Sequence, residues 1–214
     1  MLTGSDPHIQ GLLYAVWIGE TSSYRIFSVD ILAYVLSSLS ILWAFAGGQI
    51  ESFWLRVFIA APICLAVALF MLKKRNELSA LKPNPASWMM GVGSSFGLLL
   101  SGLLLTWILK GHPLEIKELA QFKIPGLLAW ILVLNPACEI IYRKYLAPNW
   151  GVKSSAFVEA LNFGVGAVNF YLFCIVFVWG YISSKYVMRF GLVAAIFARS
   201  LATLLLFLCL KMMG

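Results

Sequence analysis

Long apolar segments separated by short polar connections occupy most of the chain. A helix needs about 20 residues to cross the hydrocarbon core of a bilayer. On that basis the pattern predicts seven spans, at residues 26–46, 52–72, 88–109, 124–145, 154–168, 169–184 and 190–211. The fifth and sixth share one apolar run broken near Gly164, Gly166 and Asn169, so we expect one of them to be short, tilted or re-entrant. The expected fold is an all-α, polytopic transmembrane helical bundle of about seven spans.

Residues 1–25 precede the first span and form an N-terminal interfacial segment in this interpretation. Its apolar residues recur at helical spacing, which fits an amphipathic helix on the membrane surface or, as we favour, a short cap packed on the bundle. It lacks the basic start and small-residue cleavage site of a signal peptide. Because no soluble segment is long enough for a second domain, we interpret residues 1–214 as a single membrane domain.

Composition supports a membrane protein, because 61% of the 214 residues are hydrophobic and only 12% are charged. The formal net charge of +7 belongs in loops that face the cytoplasm and its anionic lipids, which disfavours nucleic-acid binding. Basic residues cluster between the second and third spans, at Lys73, Lys74, Arg75 and Lys82. The positive-inside rule places this loop, and with it the N-terminus, on the cytoplasmic side.

Ionisable side chains inside the apolar segments are the candidates for function, because each costs about 2.5–3.5 kcal/mol at mid-bilayer depth. Glu139 and Arg143 lie four residues apart, on one helix face where they can pair. Arg199 falls near the middle of the last span and needs a buried anion, for which Glu139 and Glu159 are the candidates. The competing interpretation is a polar cluster that only fixes helix register and packing.

Residues for several common chemistries are missing or out of place. The two histidines, His8 and His112, lie outside the predicted spans and at no metal-ligand spacing, so we expect no metal site. The four cysteines fall in apolar segments, where a thiol behaves as a small hydrophobe. Cys138 has no histidine in its segment, which disfavours a cysteine protease. The chain has no glycine-rich phosphate loop, and we expect no cofactor.

The run from Asn135 to Leu146 contains a proline, a glutamate three residues later and an arginine four residues after that. This run resembles the first signature of the CPBP family, the CAAX-processing and bacteriocin-processing intramembrane proteases also called Abi proteins. That signature has a proline, two adjacent glutamates, and an arginine four residues after the second glutamate. Cys138 replaces the first glutamate, and Tyr142 stands where phenylalanine is usual. The positions that fit are Pro136, Glu139, Arg143, Tyr145 and Leu146.

Two further signatures of the same family look similar to later segments. The second, a phenylalanine–glycine pair with a histidine four residues after the phenylalanine, resembles Phe163 to Ala167, where Ala167 replaces the histidine. The third, an apolar helix opened by glycine with a histidine and then an asparagine four residues on, resembles the helix from Gly191. Arg199 and Thr203 occupy those two positions. The resemblance covers roughly residues 120–207, which it implies form a CPBP-like core.

The resemblance implies a mechanism in which glutamate activates water while histidines and asparagine bind and polarise the substrate carbonyl. Carried over by position, only Glu139 and Arg143 remain, and a guanidinium at position 199 would keep Glu139 ionised and weakly basic. We therefore expect a catalytically inactive protein that keeps the bundle. Its vestigial site would comprise Glu139, Arg143, Cys138, Tyr142, Ala167, Arg199 and Thr203.

In place of catalysis, the lateral surface of such a bundle could hold a transmembrane segment of another protein or a lipid tail. We therefore expect membrane lipid and another membrane protein as partners, with the chain acting as a subunit, scaffold or chaperone of a membrane complex. Small residues on the third span allow close helix contacts, although packing within the bundle is the competing explanation. These residues are Gly91, Gly93, Ser94, Ser95 and Gly97.

Two other functions stay open. An active intramembrane peptidase would use Glu139 with altered helper residues. A small transporter or channel component would need a continuous polar path across the bundle, linking Asp30, Asn135, Glu159 and Asn162. The basic loops and the family resemblance favour a bacterial inner membrane.

Overall fold

The computed structural model describes residues 31–46, 50–83, 85–108, 124–166 and 169–213. Within these residues the chain forms helices joined by short turns, and it forms no strand. The helices are α1 (Ile31–Phe45), α2 (Ile50–Lys74), α3 (Pro85–Ile108), α4 (Ile124–Trp150), α5 (Val152–Gly166), α6 (Phe170–Phe190) and α7 (Leu192–Met213). A short 3-10 turn at Leu78–Leu81 follows α2. The predicted all-α bundle is confirmed.

Five of the described helices, α2, α3, α4, α6 and α7, are long and apolar enough to cross a membrane. The chain is accordingly an integral membrane protein. The sequence predicted about seven spans, and the two that fall short are α5 and the described part of α1. Their apolar residues cover fewer turns than a full bilayer crossing requires.

The broken apolar run resolves into one short helix and one long helix. At 15 residues, α5 is about 22 Å long, less than the roughly 30 Å of a hydrocarbon core. The side chain of Asn169 caps the start of α6 by accepting a hydrogen bond of 2.9 Å from the backbone N–H of Leu172. Helix α6 runs to Phe190, past the predicted end at residue 184. Lys185 and Arg189 are exposed in this last part, where long basic side chains can reach the interface.

Several sequence predictions lie outside the described residues. They concern the interfacial segment at residues 1–25, Asp30, the two histidines His8 and His112, and position Ala167 of the second CPBP signature.

Two glycines end helices in backbone conformations that other residues rarely adopt. Gly151, between α4 and α5, has φ 86°, and Gly191, between α6 and α7, has φ 87°. Each allows the chain to reverse over a single residue. Consecutive helices in the second half of the chain therefore pack side by side as antiparallel neighbours.

Helix α4 lies at the centre of the bundle. In its span window 67% of the residues are buried, compared with 22% for α3, so polar groups on α4 face protein and not lipid. Aromatic side chains of α1, α2 and α5 surround Trp130 of α4, and Phe45 is closest, at 5.0 Å between ring centroids. Gly126 permits the close approach of α2, because a Cβ there would lie 2.6 Å from Cε3 of Trp54.

Helices α5 and α6 form a tight hairpin beside α4, and α3 packs on the outside against α7 and α6. A Cβ at Gly164 would lie 2.5 Å from Cβ of Phe173 and 3.0 Å from its Cα, so only glycine fits this contact. The glycine of the Phe163–Gly164 pair thus has a packing role that brings α5 against α6. That hairpin presents Glu159 to α4.

Candidate functional site

Helix α4 departs from regular α geometry on both sides of the segment Asn135–Cys138. Wider turns with i→i−5 hydrogen bonds occur at Trp130–Leu134 and Glu139–Leu146: the Asn135 N–H donates to the Trp130 carbonyl, and the Ala147 N–H donates to the Tyr142 carbonyl. Pro136 has no N–H to donate within this stretch. Wide turns of this kind are frequent at functional sites, because they rotate side chains away from their regular α positions.

Four charged side chains meet at the centre of the bundle, and we call Glu139, Arg143, Glu159 and Arg199 the ion-pair cluster. Nη1 of Arg199 lies 3.0 Å from Oε1 of Glu139 and 2.5 Å from Oε1 of Glu159. Nη2 of Arg143 pairs with Oε2 of Glu159, and its Nε lies 3.8 Å from Oε2 of Glu139. The pairing of Arg199 with Glu139 that the sequence suggested is observed, and Arg143 pairs more closely with Glu159 than with Glu139.

The ion-pair cluster is neutral and fully enclosed. Its side chains are at most 3% exposed, and they come from α4, α5 and α7. The charges of two carboxylates and two guanidinium groups balance, and their mutual attraction offsets the cost of removing four charges from water. The hydrogen bonding is incomplete among the described residues, since Oε2 of Glu139 and Nε and Nη1 of Arg143 have no hydrogen-bond partner there. Breaking one pair would leave a buried, uncompensated charge.

Gly180 of α6 forms one wall of the ion-pair cluster. A Cβ at this position would lie 2.7 Å from Nη2 of Arg143 and 2.9 Å from Oε2 of Glu159. The pair between Arg143 and Glu159 therefore occupies the space that any other residue at 180 would fill. No sequence signature pointed to Gly180, because glycine in an apolar helix has many packing roles.

Polar side chains next to the ion-pair cluster form hydrogen bonds with partners inside the bundle. Nδ2 of Asn162 donates to Oη of Tyr142 at 2.7 Å and to Oγ of Ser38 at 3.0 Å. The Ser155 hydroxyl donates to the carbonyl of Tyr142. This network joins α1, α4 and α5 and orients the Tyr142 ring. Sequence reasoning missed Ser38 and Ser155, since isolated serines in apolar segments carry no distinguishing pattern.

A second polar contact lies one turn away from Arg199. Nδ2 of Asn135 donates to Oγ1 of Thr203 at 3.0 Å, and that hydroxyl donates to the carbonyl of Arg199 at 2.8 Å. The Thr203 side chain therefore ties α4 to α7 beside the Glu139–Arg199 pair. Cys138 is also fully buried in the core. Of the proposed vestigial residues, the structure brings together Glu139, Arg143, Arg199 and Thr203.

The small residues of α3 divide between two faces. Gly91 and Ser95 are buried and face α7, and a Cβ at Gly91 would lie 3.0 Å from Cβ of Phe197. For these two the explanation is packing within the bundle. Gly93 and Gly97 face outward, with nothing within 4 Å of an added Cβ, and Ser94 is half-buried. The outward pair retains the possibility of a contact with another helix.

Among the described residues, no group of three or more His, Cys, Asp and Glu side chains is placed to hold a metal ion. The buried polar groups at the centre of the bundle are carboxylates and guanidinium groups, with hydroxyl and amide neighbours. Comparisons of the chain with protein-family models, curated proteins and solved structures gave no match.

Proposed function

We propose that this chain is a catalytically inactive, CPBP-like integral membrane protein that serves as a partner-binding subunit, scaffold or chaperone of a membrane complex. The observation that carries the proposal is the ion pair between Glu139 and Arg199, at 3.0 Å in the core. The family resemblance assigns the water-activating role to Glu139 and a histidine role to position 199. In this chain Arg199 stands in place of that histidine and forms a salt bridge with Glu139.

The chemistry of the ion-pair cluster supports inactivity. A general base must reach the proton that it removes and must have an accessible lone pair. Glu139 is completely buried, and its Oε1 already accepts a hydrogen bond from Arg199. Thr203 lies where the family has asparagine, and its hydroxyl proton is used within α7. Glu139 is thus enclosed away from water, and Thr203 has no free proton with which to polarise a substrate carbonyl.

Glu139→Gln tests this proposal against the active-peptidase alternative. We expect wild-type protein in proteoliposomes to cleave a panel of quenched fluorescent transmembrane peptides only at the background rate, and the variant to do the same. General acid–base groups contribute about 10²–10⁴-fold to a rate. A wild-type rate above background that falls by such a factor in the variant would show that Glu139 is catalytic.

We propose that the partner binds to the outward face of α3. Gly93 and Gly97 are four residues apart and open to the outside, among exposed apolar side chains such as Leu100 and Leu104. Paired small residues at this spacing let the backbones of two membrane helices approach closely. The occupant that fits is a transmembrane helix of another protein, packed backbone to backbone against this face.

The double variant Gly93→Leu/Gly97→Leu should remove that contact. With a photo-crosslinking residue at Leu100 in native membranes, we expect one defined adduct for the wild type. We expect at least about a tenfold lower yield for the variant, equivalent to about 1.4 kcal/mol. Val92→Leu/Phe96→Leu is the matched control on the same helix and should preserve the adduct. Equal yields in all three proteins would exclude this face as the partner site.

The transporter alternative receives no support from those of its required polar residues that the structure describes. Asn135, Glu159 and Asn162 each bond to a partner within the bundle, at Thr203, Arg143 and Tyr142 respectively. The proposed location is a bacterial inner membrane with the N-terminus in the cytoplasm. The basic residues that follow α2 support a cytoplasmic position for the end of that helix. A cytoplasmic N-terminus also requires the segment that contains α1 to cross the membrane.

A further inference from the structure

One row of side chains on α6 changes along the helix from half-buried and aromatic to exposed and basic. Phe173, Phe177, Tyr181, Lys185 and Arg189 follow one another at intervals of four residues. Residues at this spacing form one continuous, inclined ridge on a helix surface. We call these five residues the α6 stripe.

The aromatic half of the α6 stripe is built from side chains in mutual contact. The rings of Phe173 and Phe177 stack with centroids 6.4 Å apart, and Phe170 stacks on Phe173 from the other side at 6.1 Å. Tyr181 continues the row and is 36% exposed. The result is a half-buried apolar track beside the contact between α5 and α6, and it leads to the exposed Tyr181.

The basic half of the α6 stripe is held by aromatic rings. Nζ of Lys185 lies 5.9 Å from the centre of the Tyr181 ring, and the Arg189 guanidinium lies 5.1 Å from the centre of the Phe190 ring. Both basic side chains are exposed. Cation–π contacts at this distance restrain the two positive charges near the point where α6 ends.

The α5–α6 hairpin adds a third positive charge at the same end. The contacts Gly164–Phe173 and Gly180–Ala156 show that the two helices run antiparallel. Lys153, exposed at the start of α5, therefore lies level with the end of α6. The described carboxylate on this hairpin, Glu159, is buried in the ion-pair cluster and does not oppose these charges at the surface.

The part of the α6 stripe from Phe177 to Arg189 matches one leaflet of a bilayer in length. From Phe177 to Arg189 the helix advances by about 18 Å at roughly 1.5 Å per residue. Half of a hydrocarbon core is about 15 Å thick, with the phosphate layer just beyond it. An acyl chain beside Phe177 would thus end in a headgroup at the level of Arg189.

From this complementarity we propose that the α6 stripe binds an anionic phospholipid. Lys185 and Arg189 hold the phosphate and the anionic headgroup, and an acyl chain packs along Tyr181 and Phe177. Basic residues next to a membrane surface attract anionic lipids with about 1 kcal/mol each. This site is separate from the ion-pair cluster and from the outward face of α3, and it does not depend on the proposed function.

Native mass spectrometry of the full-length protein with added phosphatidylglycerol tests the proposal. We expect Lys185→Ala/Arg189→Ala to raise the apparent dissociation constant of the tightest-bound phosphatidylglycerol by about fivefold per residue. Lys73→Ala/Lys82→Ala removes the same charge from exposed positions near the end of α2 and should change that constant by less than about twofold. An equal change in both variants, or no change in either, would overturn the proposal.

The acyl-chain part of the proposal has its own measurement. Phe177→Ala should weaken the binding of long-chain phosphatidylglycerol more than that of a short-chain analogue, because only the longer chain reaches this position. Equal weakening for both lipids, or no weakening, would overturn the placement of the acyl chain. Unchanged thermal unfolding of each variant in detergent confirms that the comparison is between folded proteins.

Discussion

Arg199→Leu is expected to lower the free energy of unfolding by about 3–5 kcal/mol, because it leaves two buried carboxylates with a single guanidinium group. In the native protein, Nη1 of Arg199 lies within 3.0 Å of Glu139 and within 2.5 Å of Glu159. Its removal gives the ion-pair cluster a net negative charge in a region that excludes water. Unfolding by SDS in mixed micelles measures the change.

A matched control and a rescue variant separate this cause from a general loss of packing. Lys82→Leu removes a basic side chain at an exposed position and should change the free energy of unfolding by no more than about 0.5 kcal/mol. Adding Glu139→Gln to Arg199→Leu restores charge balance, so we expect the double variant to recover part of the loss. A double variant less stable than Arg199→Leu would show that charge balance is not what matters at this site.

Gly180→Val is expected to destabilise the protein by at least about 3 kcal/mol, since it combines overpacking with separation of a buried ion pair. Even the first added carbon would lie 2.7 Å from Nη2 of Arg143 and 2.9 Å from Oε2 of Glu159. Valine adds two further methyl groups to the same space. The same SDS titration gives the magnitude.

Gly97→Val is the matched control for Gly180→Val. An added Cβ at Gly97 meets nothing within 4 Å, so the two variants share the change in helix propensity and differ only in their surroundings. We expect the control to cost no more than about 1 kcal/mol. A loss of similar size in both variants would mean that the Gly180 effect comes from the helix backbone and not from the Arg143–Glu159 pair.

These two experiments also bear on the proposed function. A protease of the type that the resemblance implies needs an accessible carboxylate next to groups that polarise a carbonyl. Large stability losses at Arg199 and Gly180 would assign the ion-pair cluster a mainly structural role, joining α4, α5 and α7. Partner and lipid binding would then belong to the outer surfaces, at α3 and at the α6 stripe.

The candidate site was partly predictable from sequence. A charged residue in the middle of an apolar span requires a partner, so a buried carboxylate next to Arg199 could be predicted in advance. The choice between Glu139 and Glu159 could not be made, because it depends on how far α5 lies from α7. In the structure, both carboxylates contact Arg199.

The helix boundaries were likewise partly predictable from the sequence. Hydropathy located α2, α3, α4 and α7 closely, but it ended α6 too early, because Ser183, Ser184 and Lys185 lower the local average. The two serines are buried against neighbouring helices, and Ser184 bonds to the carbonyl of Gly180. Hydropathy averages all faces of a helix and cannot register which face each polar group occupies.

By itself, the sequence determined that the chain is an all-α integral membrane protein with charged residues inside it, since apolar length and the cost of a lone buried charge are properties of the chain alone. Only the tertiary structure decided that four of these charges form one closed cluster, that Gly180 makes room for it, and that Gly91 packs inside while Gly97 faces out. These features depend on the distances and rotations between helices. Residues that lie far apart in the chain determine these distances and rotations.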